Sequence, residues 1–163
     1  EMAEVPVAVP IRGVVHRVES TGSPRGRTRV LALEDGPTVE VPGEAPHVRR
    51  RLVDHLKKEA RADLASAVAR HAATLGVRPT AIRLKDTTSR WGSASARGVL
   101  AFSWRLIMAP PFVLDYVAAH EVAHLKEMNH SDRFWAICHR LCPATEAAKD
   151  WLKKNGAGLH RLP

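Results

Sequence analysis

An apolar segment that follows Pro110 and Pro111 restricts the fold of this 163-residue chain more than any other feature. Proline is tolerated in the first turn of a helix, so the segment can be helical throughout and end at about Asn129. Its apolar residues are Phe112, Val113, Leu114, Tyr116, Val117, Ala118, Ala119, Val122 and Ala123. Because they occupy all sides of such a helix, they predict a helix that is buried in the protein.

Three polar residues interrupt this segment in the pattern His-Glu-x-x-His, which begins at His120 and ends at His124. Imidazoles four residues apart project from one helix face about a turn apart, which suits two bonds to one zinc ion. Glu121 points to one side of the helix face that carries the two histidines. Its carboxylate can therefore act as general base on a water molecule beside the metal. Burial of three polar side chains is costly without a partner such as a metal. The pattern therefore predicts a zinc-dependent hydrolase.

A catalytic zinc site needs a third protein ligand and leaves one position open. His130 is the best candidate, but on an unbroken helix it would point about 240° round from His124. The helix therefore has to break first, and Asn129 tolerates the left-handed conformation that is common at helix ends. Three other residues compete with His130 for this role: Glu127, His139 and Glu146.

The first half of the chain changes from strand to helix patterns. Gly, Pro and Asp clusters separate short extended pieces in the first 47 residues. From 46 to 75, apolar residues recur every four positions beside charged ones, which predicts a long amphipathic helix that Gly76 is suited to end. The candidate strands before this helix are 12–18, 28–33 and 38–41.

Further elements are predicted on both sides of the apolar segment. The β-branched and aromatic residues at 81–85 and 99–105 favour two strands, joined by a loop at 89–98. Ser131 is a suitable cap for the helix that follows the segment, and Pro143 begins a last helix.

Together these elements predict an α+β fold of the zincin type. It contains a small antiparallel or mixed sheet, a long N-terminal helix, the His-Glu-x-x-His helix and two C-terminal helices. At this length we expect a single domain over 1–163, with a strand-rich part at 1–47 and a helical core at 48–163.

The positive charge of the chain is concentrated in its middle third. The net charge is +8, and residues 48–105 carry thirteen basic and four acidic groups. Such a segment favours nucleic acid, nucleotide phosphates or an acidic protein as partner, and it is equally typical of a solvated helix face. Aromatic residues make up only 5% of the chain, so it has few side chains on which nucleic-acid bases could stack.

The sequence also bears on location. It contains no apolar run long enough to span a membrane, and its first residues lack the pattern of a secretory signal. We therefore expect a cytoplasmic protein with no membrane partner.

A series of short motifs surrounds the His-Glu-x-x-His pattern. They are Ser89-Arg90-Trp91-Gly92-Ser93, Trp104-Arg105-Leu106-Ile107, Ala109-Pro110, Tyr116-Val117, Asn129-His130-Ser131 and Phe134-Trp135. Between about 84 and 152 their order resembles the YgjP-like metallopeptidase family, to which the SprT-like and WLM proteases are related in motif. The resemblance implies one zinc ion per chain, held by His120, His124 and His130, with Glu121 as catalytic base.

The resemblance also implies a reaction class. It favours hydrolysis of peptide bonds in a peptide or protein substrate that lies extended along a sheet edge. Two alternatives remain open: a nucleoside triphosphate (UTP) pyrophosphatase, because members of this family carry that description, and a DNA-associated protease or binding module like the SprT proteins. The chain has Ala94 where the family usually has Cys and Ser103 where it often has Asn, which bears on substrate contacts in that loop.

Four more residues are candidates for substrate contact. Tyr116 lies one turn before His120 and either donates to an oxyanion or belongs to the core. Arg90 and Trp91 precede a glycine and can lie at the rim of the site, although a core position suits the tryptophan better. Arg105 can bind a carboxylate or phosphate of the substrate, or it can pair with a buried carboxylate. The candidate structural partners of Arg105 are Asp115 and Glu127.

Overall fold

The computed structural model describes residues 5–162, and its chain begins with a four-stranded mixed sheet. The strand order is β1-β2-β4-β3, in which β2 and β4 are parallel and the other pairs antiparallel. The strand predicted at 12–18 is wrong in its start, because Arg12 and Gly13 form the turn between the first two strands and the second strand begins at Val14. The strands are β1 (Ala8–Ile11), β2 (Val14–Ser20), β3 (Arg29–Leu33) and β4 (Gly36–Val41).

This turn attaches the first sheet to the rest of the protein. Arg12 and Gly13 both have positive φ angles, 49° and 80°, which produce the tight reversal. The Arg12 guanidinium donates to Asp63 at 2.8 Å and to Glu59 at 3.0 Å, and both carboxylates lie on the long helix. The backbone N–H of Arg12 also donates to the carbonyl of Ile107 at 2.7 Å.

The long helix α1 (Ala45–Leu75) confirms the prediction of an amphipathic helix at 46–75. It ends at Gly76, whose φ of 74° is left-handed and whose N–H donates to the carbonyl of Ala72. Its buried side follows the expected spacing and includes Val48, Leu52, Leu56, Ala60, Leu64, Val68 and Ala72.

A second, three-stranded sheet follows α1, in the order β5-β7-β6. Its strands are β5 (Ala81–Lys85), β6 (Gly92–Ala94) and β7 (Val99–Ser103). β5 runs parallel to β7, and the short β6 pairs antiparallel on the other side. The loop predicted at 89–98 therefore contains a strand, and the strand predicted to reach 105 stops at Ser103. There the serine hydroxyl caps a 3₁₀ helix, Trp104–Met108.

The apolar segment forms α2 (Pro111–Ala123), which is buried as predicted. It ends at Ala123 and not near Asn129, because the next residues close tight turns: Leu125 N–H donates to Val122 and Lys126 N–H to Ala123. Then come α3 (Asp132–Leu141), with its predicted cap at Ser131, and α4 (Thr145–Asn155), which leads into a 3₁₀ helix at Gly156–His160.

One continuous hydrophobic core joins these elements. It contains Val9 and Val39 of the first sheet, Leu52 of α1, Phe102 of β7 and Val122 of α2. α2 lies against α1 on one side and against β6 on another, so Glu121 of α2 lies next to Gly92 of the second sheet. Among the described residues, no helix combines the length and apolar character needed to cross a membrane.

Candidate metal centre

Three imidazoles converge at the carboxyl end of α2. Nε2 of His130 lies 3.0 Å from Nε2 of His124 and 3.3 Å from Nε2 of His120. Two nitrogens at zinc-bond lengths and a tetrahedral angle lie about 3.4 Å apart, so these distances suit three ligands of one ion. The three side chains form a group able to hold a metal.

The other ring nitrogen of His120 and of His124 also has a hydrogen-bond partner. Nδ1 of His120 lies 3.1 Å from the hydroxyl of Tyr116, and Nδ1 of His124 lies 3.2 Å from the carbonyl oxygen of Glu127. A carbonyl only accepts, so Nδ1–H of His124 donates to it, and Nε2 of that ring keeps its lone pair. Such partners fix the tautomer and orientation of a metal ligand.

The early end of α2 brings His130 to the other two histidines. After Ala123 the chain turns back through the short loop at 124–131 and re-enters a helix at Ser131, whose hydroxyl accepts from Phe134 N–H. Asn129 has no positive φ, so the left-handed break expected there is wrong. The i→i+3 turns at Leu125 and Lys126 supply the reversal instead.

Aromatic side chains surround the histidines. The Phe134 ring is fully buried, with its centroid 4.4 Å from that of His124, and Trp135 stacks on His130 at 5.8 Å. Burial lowers the pKa of His120 to about 4, with a smaller contribution from the neighbouring histidines. The imidazole is therefore neutral at pH 7, which is the form that binds a metal.

Glu121 lies beside this group and is 5% exposed. Burial raises the pKa of its carboxyl to about 7, and the charge of Arg90 opposes the rise. Strand β6 passes so close that a Cβ on Gly92 would lie 2.9 Å from Oε2 of Glu121 and 3.0 Å from Cγ1 of Val117. The sequence alone gave no reason to single out Gly92, because this contact joins positions far apart in the chain.

The side chains of the competing third-ligand candidates do not join the converging histidines. The Nδ1–H of His139 donates to the carbonyl of Trp135 at 2.7 Å, and its Nε2 pairs with the Glu146 carboxylate at 3.0 Å. Glu127 contributes its backbone carbonyl to His124, as described above. None of the three belongs to the group of converging ligand atoms.

The four candidates for substrate contact are separated by the fold. The Tyr116 hydroxyl lies on the Nδ1 side of His120, away from the converging nitrogens. Arg90 is exposed two residues before β6, close enough to influence Glu121. Trp91 is half-buried and stacks on His160 with ring centroids 5.0 Å apart.

Arg105 is buried and has a structural partner that the sequence did not suggest. Its Nε donates to Asp86 at 2.7 Å, and its Nη1 donates to the carbonyls of Leu159 and Leu162. The partners expected from the sequence are wrong, since Asp115 is bound by Arg70 and His71 and Glu127 lies at the metal centre. Arg105 therefore ties the 3₁₀ helix to the C-terminal segment.

A mixed α+β fold with a buried His-Glu-x-x-His helix and a converging third histidine is typical of metallopeptidases. A family model described as "YgjP-like, metallopeptidase domain" matches residues 3–155. The chain belongs to the YgjP-like metallopeptidase family.

A solved structure shares the fold. The crystal structure of the metallopeptidase zymogen of Pyrococcus abyssi abylysin is similar with a TM-score of 0.51 and 22% sequence identity. The similar region covers 60% of this chain and 96% of that chain. No significant match was found among the curated proteins.

Proposed function

We propose that the protein is a zinc-dependent metallopeptidase in which His120, His124 and His130 hold the ion and Glu121 is the general base. The convergence of three Nε2 atoms beside a buried carboxylate carries this proposal. Three imidazoles without a carboxylate favour zinc over the iron of facial-triad oxygenases. When bound, the ion polarises the scissile carbonyl and makes water more acidic.

The residues of the chain then have separate tasks. Glu121 accepts a proton from the attacking water and returns it to the leaving amine. Its buried position keeps bulk water away from the carboxylate, and the lack of a side chain at Gly92 leaves the carboxylate room. Tyr116 acts as a positioning residue, because its hydroxyl is the partner of His120 Nδ1.

The substrate is proposed to lie along β6. This strand pairs with β7 on one side only and forms an edge of the second sheet. An extended peptide can add to such an edge through main-chain hydrogen bonds. Gly92 of β6 contacts Glu121, so a peptide on this edge passes the general base.

The test measures hydrolysis of casein and of UTP by zinc-loaded protein, with the Glu121→Gln variant as the control. We expect hydrolysis of casein that falls by about 10²–10⁴-fold in the variant, because one general base is removed. The variant should keep its zinc, since Glu121 is not a ligand. Hydrolysis of UTP alone, lost in the same variant, would refute the peptidase assignment and support the pyrophosphatase alternative. Casein hydrolysis that survives the substitution comes from a contaminant.

A further inference from the structure

A continuous basic surface lies between α1 and the end of β5. A cavity of about 530 Å³ is lined by Lys57, Lys58 and Arg61 from one face of α1 and by Lys85 from β5. Lys85 also lines an adjoining cavity of about 270 Å³, which extends to Arg90. We call the surface formed by these five residues the basic groove.

The charges of the basic groove are not neutralised. In the part of the chain that the structure describes, none of its five cations forms an ion pair, whereas Arg12, Arg70 and Arg105 all bind carboxylates. Two acidic residues, Asp54 and Asp86, also line the larger cavity, but Asp86 is bound by Arg105 at 2.7 Å. The groove therefore carries a net positive charge that favours an anionic ligand.

Trp104 supplies a second, independent observation. It lines the groove and is 2% exposed, yet its indole N–H finds no hydrogen-bond partner among residues 5–162. The Arg105 guanidinium lies 4.6 Å from the centroid of this ring and the Lys57 ammonium 5.9 Å. A buried donor without an acceptor is costly, so this wall of the groove keeps an unsatisfied polar group.

The basic groove leads toward the candidate active site. Arg90, at one end of the groove, precedes Gly92 by two residues, a separation of about 7 Å in an extended chain. Gly92 in turn contacts Glu121. A ligand in the groove and a peptide on β6 can therefore be parts of one extended molecule.

The surroundings distinguish between anionic ligands. Single-stranded nucleic acid is usually held by aromatic rings that stack on its bases. This region offers little surface for such stacking, because Trp104 is buried and one face of the half-buried Trp91 stacks on His160. β5 is an edge strand, which suits an extended polypeptide.

From these observations we infer that the basic groove binds an acidic segment of the protein substrate, at a distance from the bond that is cleaved. This inference rests on the proposed peptidase function and specifies its substrate class. Binding of the acidic segment and hydrolysis involve different residues, so they can be measured separately.

The test uses a labelled oligo-glutamate peptide and zinc-loaded protein carrying Glu121→Gln, so that no turnover is needed. On this background, the combined substitutions Lys58→Ala, Arg61→Ala and Lys85→Ala should weaken binding about tenfold or more, since three charge contacts are lost. A matched control removes three exposed cations outside the groove, with Arg25→Ala, Arg27→Ala and Lys153→Ala, and should bind like the parent.

Three outcomes would overturn the inference. The first is that peptide binding weakens equally in the groove variant and in the control variant. The second is that oligo-deoxythymidylate binds to the groove more tightly than the peptide does. The third is that the peptide does not bind at low salt. Failure of the proposed function is distinguishable, because it appears as missing casein hydrolysis by zinc-loaded protein with Glu121 intact, while the Glu121→Gln protein still binds the peptide.

Discussion

The Tyr116 hydroxyl lies 3.1 Å from Nδ1 of His120, one turn earlier on the same helix. If Nε2 of His120 binds the metal, Nδ1 carries the proton and donates to the tyrosine oxygen. The tyrosine is 6% exposed, so water does not readily replace it. The hydrogen bond therefore links a buried residue of α2 to the orientation of the His120 ring in the metal centre.

The first prediction concerns this pair. Tyr116→Phe keeps the ring but leaves Nδ1 of His120 without a partner, so zinc affinity should fall by about 10–100-fold. Competition with a chromogenic chelator measures this affinity. A lower kcat with unchanged zinc affinity would contradict the positioning role and favour donation to an oxyanion.

The second prediction concerns the third ligand. His130→Ala should abolish stoichiometric zinc, because two imidazoles remain where three are proposed to bind. Metal analysis of the purified protein gives the readout. His139→Ala is the matched control, since this exposed imidazole pairs with Glu146 and should leave the zinc content unchanged. Zinc retained by the His130 variant would remove His130 from the ligand set.

The elements that sequence patterns predicted well are those whose pattern is local. α1 has apolar residues at helical spacing and a glycine at its end, and its observed range differs from the prediction by one residue at the start. The strand at 81–85 was predicted with its observed ends. α2 was predicted as a buried helix because its apolar residues surround it.

The elements that were wrong or missed depend on contacts between distant parts of the chain. β6 has the sequence Gly-Ser-Ala, which carries no strand preference, and it exists because it pairs with β7. Arg105 binds Asp86 and two C-terminal carbonyls, none of which its neighbours in sequence suggest. α2 ends early in the tight turns at Leu125 and Lys126, which return the chain so that His130 reaches the other histidines, and no single residue type marks that position.

The third prediction tests the approach of β6 to the general base. Gly92→Ala would place a Cβ 2.9 Å from Oε2 of Glu121 and 3.0 Å from Val117, so either the strand or the carboxylate has to move. We expect a loss of about 1–3 kcal/mol in the free energy of unfolding, which chemical denaturation measures. Peptidase activity should fall while the zinc content stays the same.

A matched glycine substitution serves as the control for this variant. Gly158→Ala introduces a Cβ that would meet no atom within 4 Å. Its stability and activity should be close to those of the parent protein. Equal effects of the two substitutions would show that the contact with Glu121 is not the cause.

The last prediction concerns the ion pair of Arg105 with Asp86 and its dependence on pH. The hydrogen bond from Arg105 lowers the pKa of Asp86 below its ordinary value of 3.8, against a smaller opposing effect of burial. The ionised carboxylate therefore stabilises the folded protein above that value, and the stabilisation is lost as the pH falls through the lowered pKa. Asp86→Asn should reduce the free energy of unfolding at pH 7 by about 1 kcal/mol, a figure that allows for solvent screening of a half-exposed carboxylate.

Urea denaturation at several pH values checks this expectation. The parent protein and the Asp86 variant should differ at pH 7, and the difference should shrink as the pH falls below about 3.8 through the lowered pKa of Asp86, where the folded carboxyl gains a proton. Asp150→Asn is the control, because Asp150 pairs with Lys154 on the exposed surface of α4 and should contribute little at any pH. A difference between parent and Asp86 variant that persists unchanged in acid would mean that the side chain stabilises the fold through packing and not through its charge.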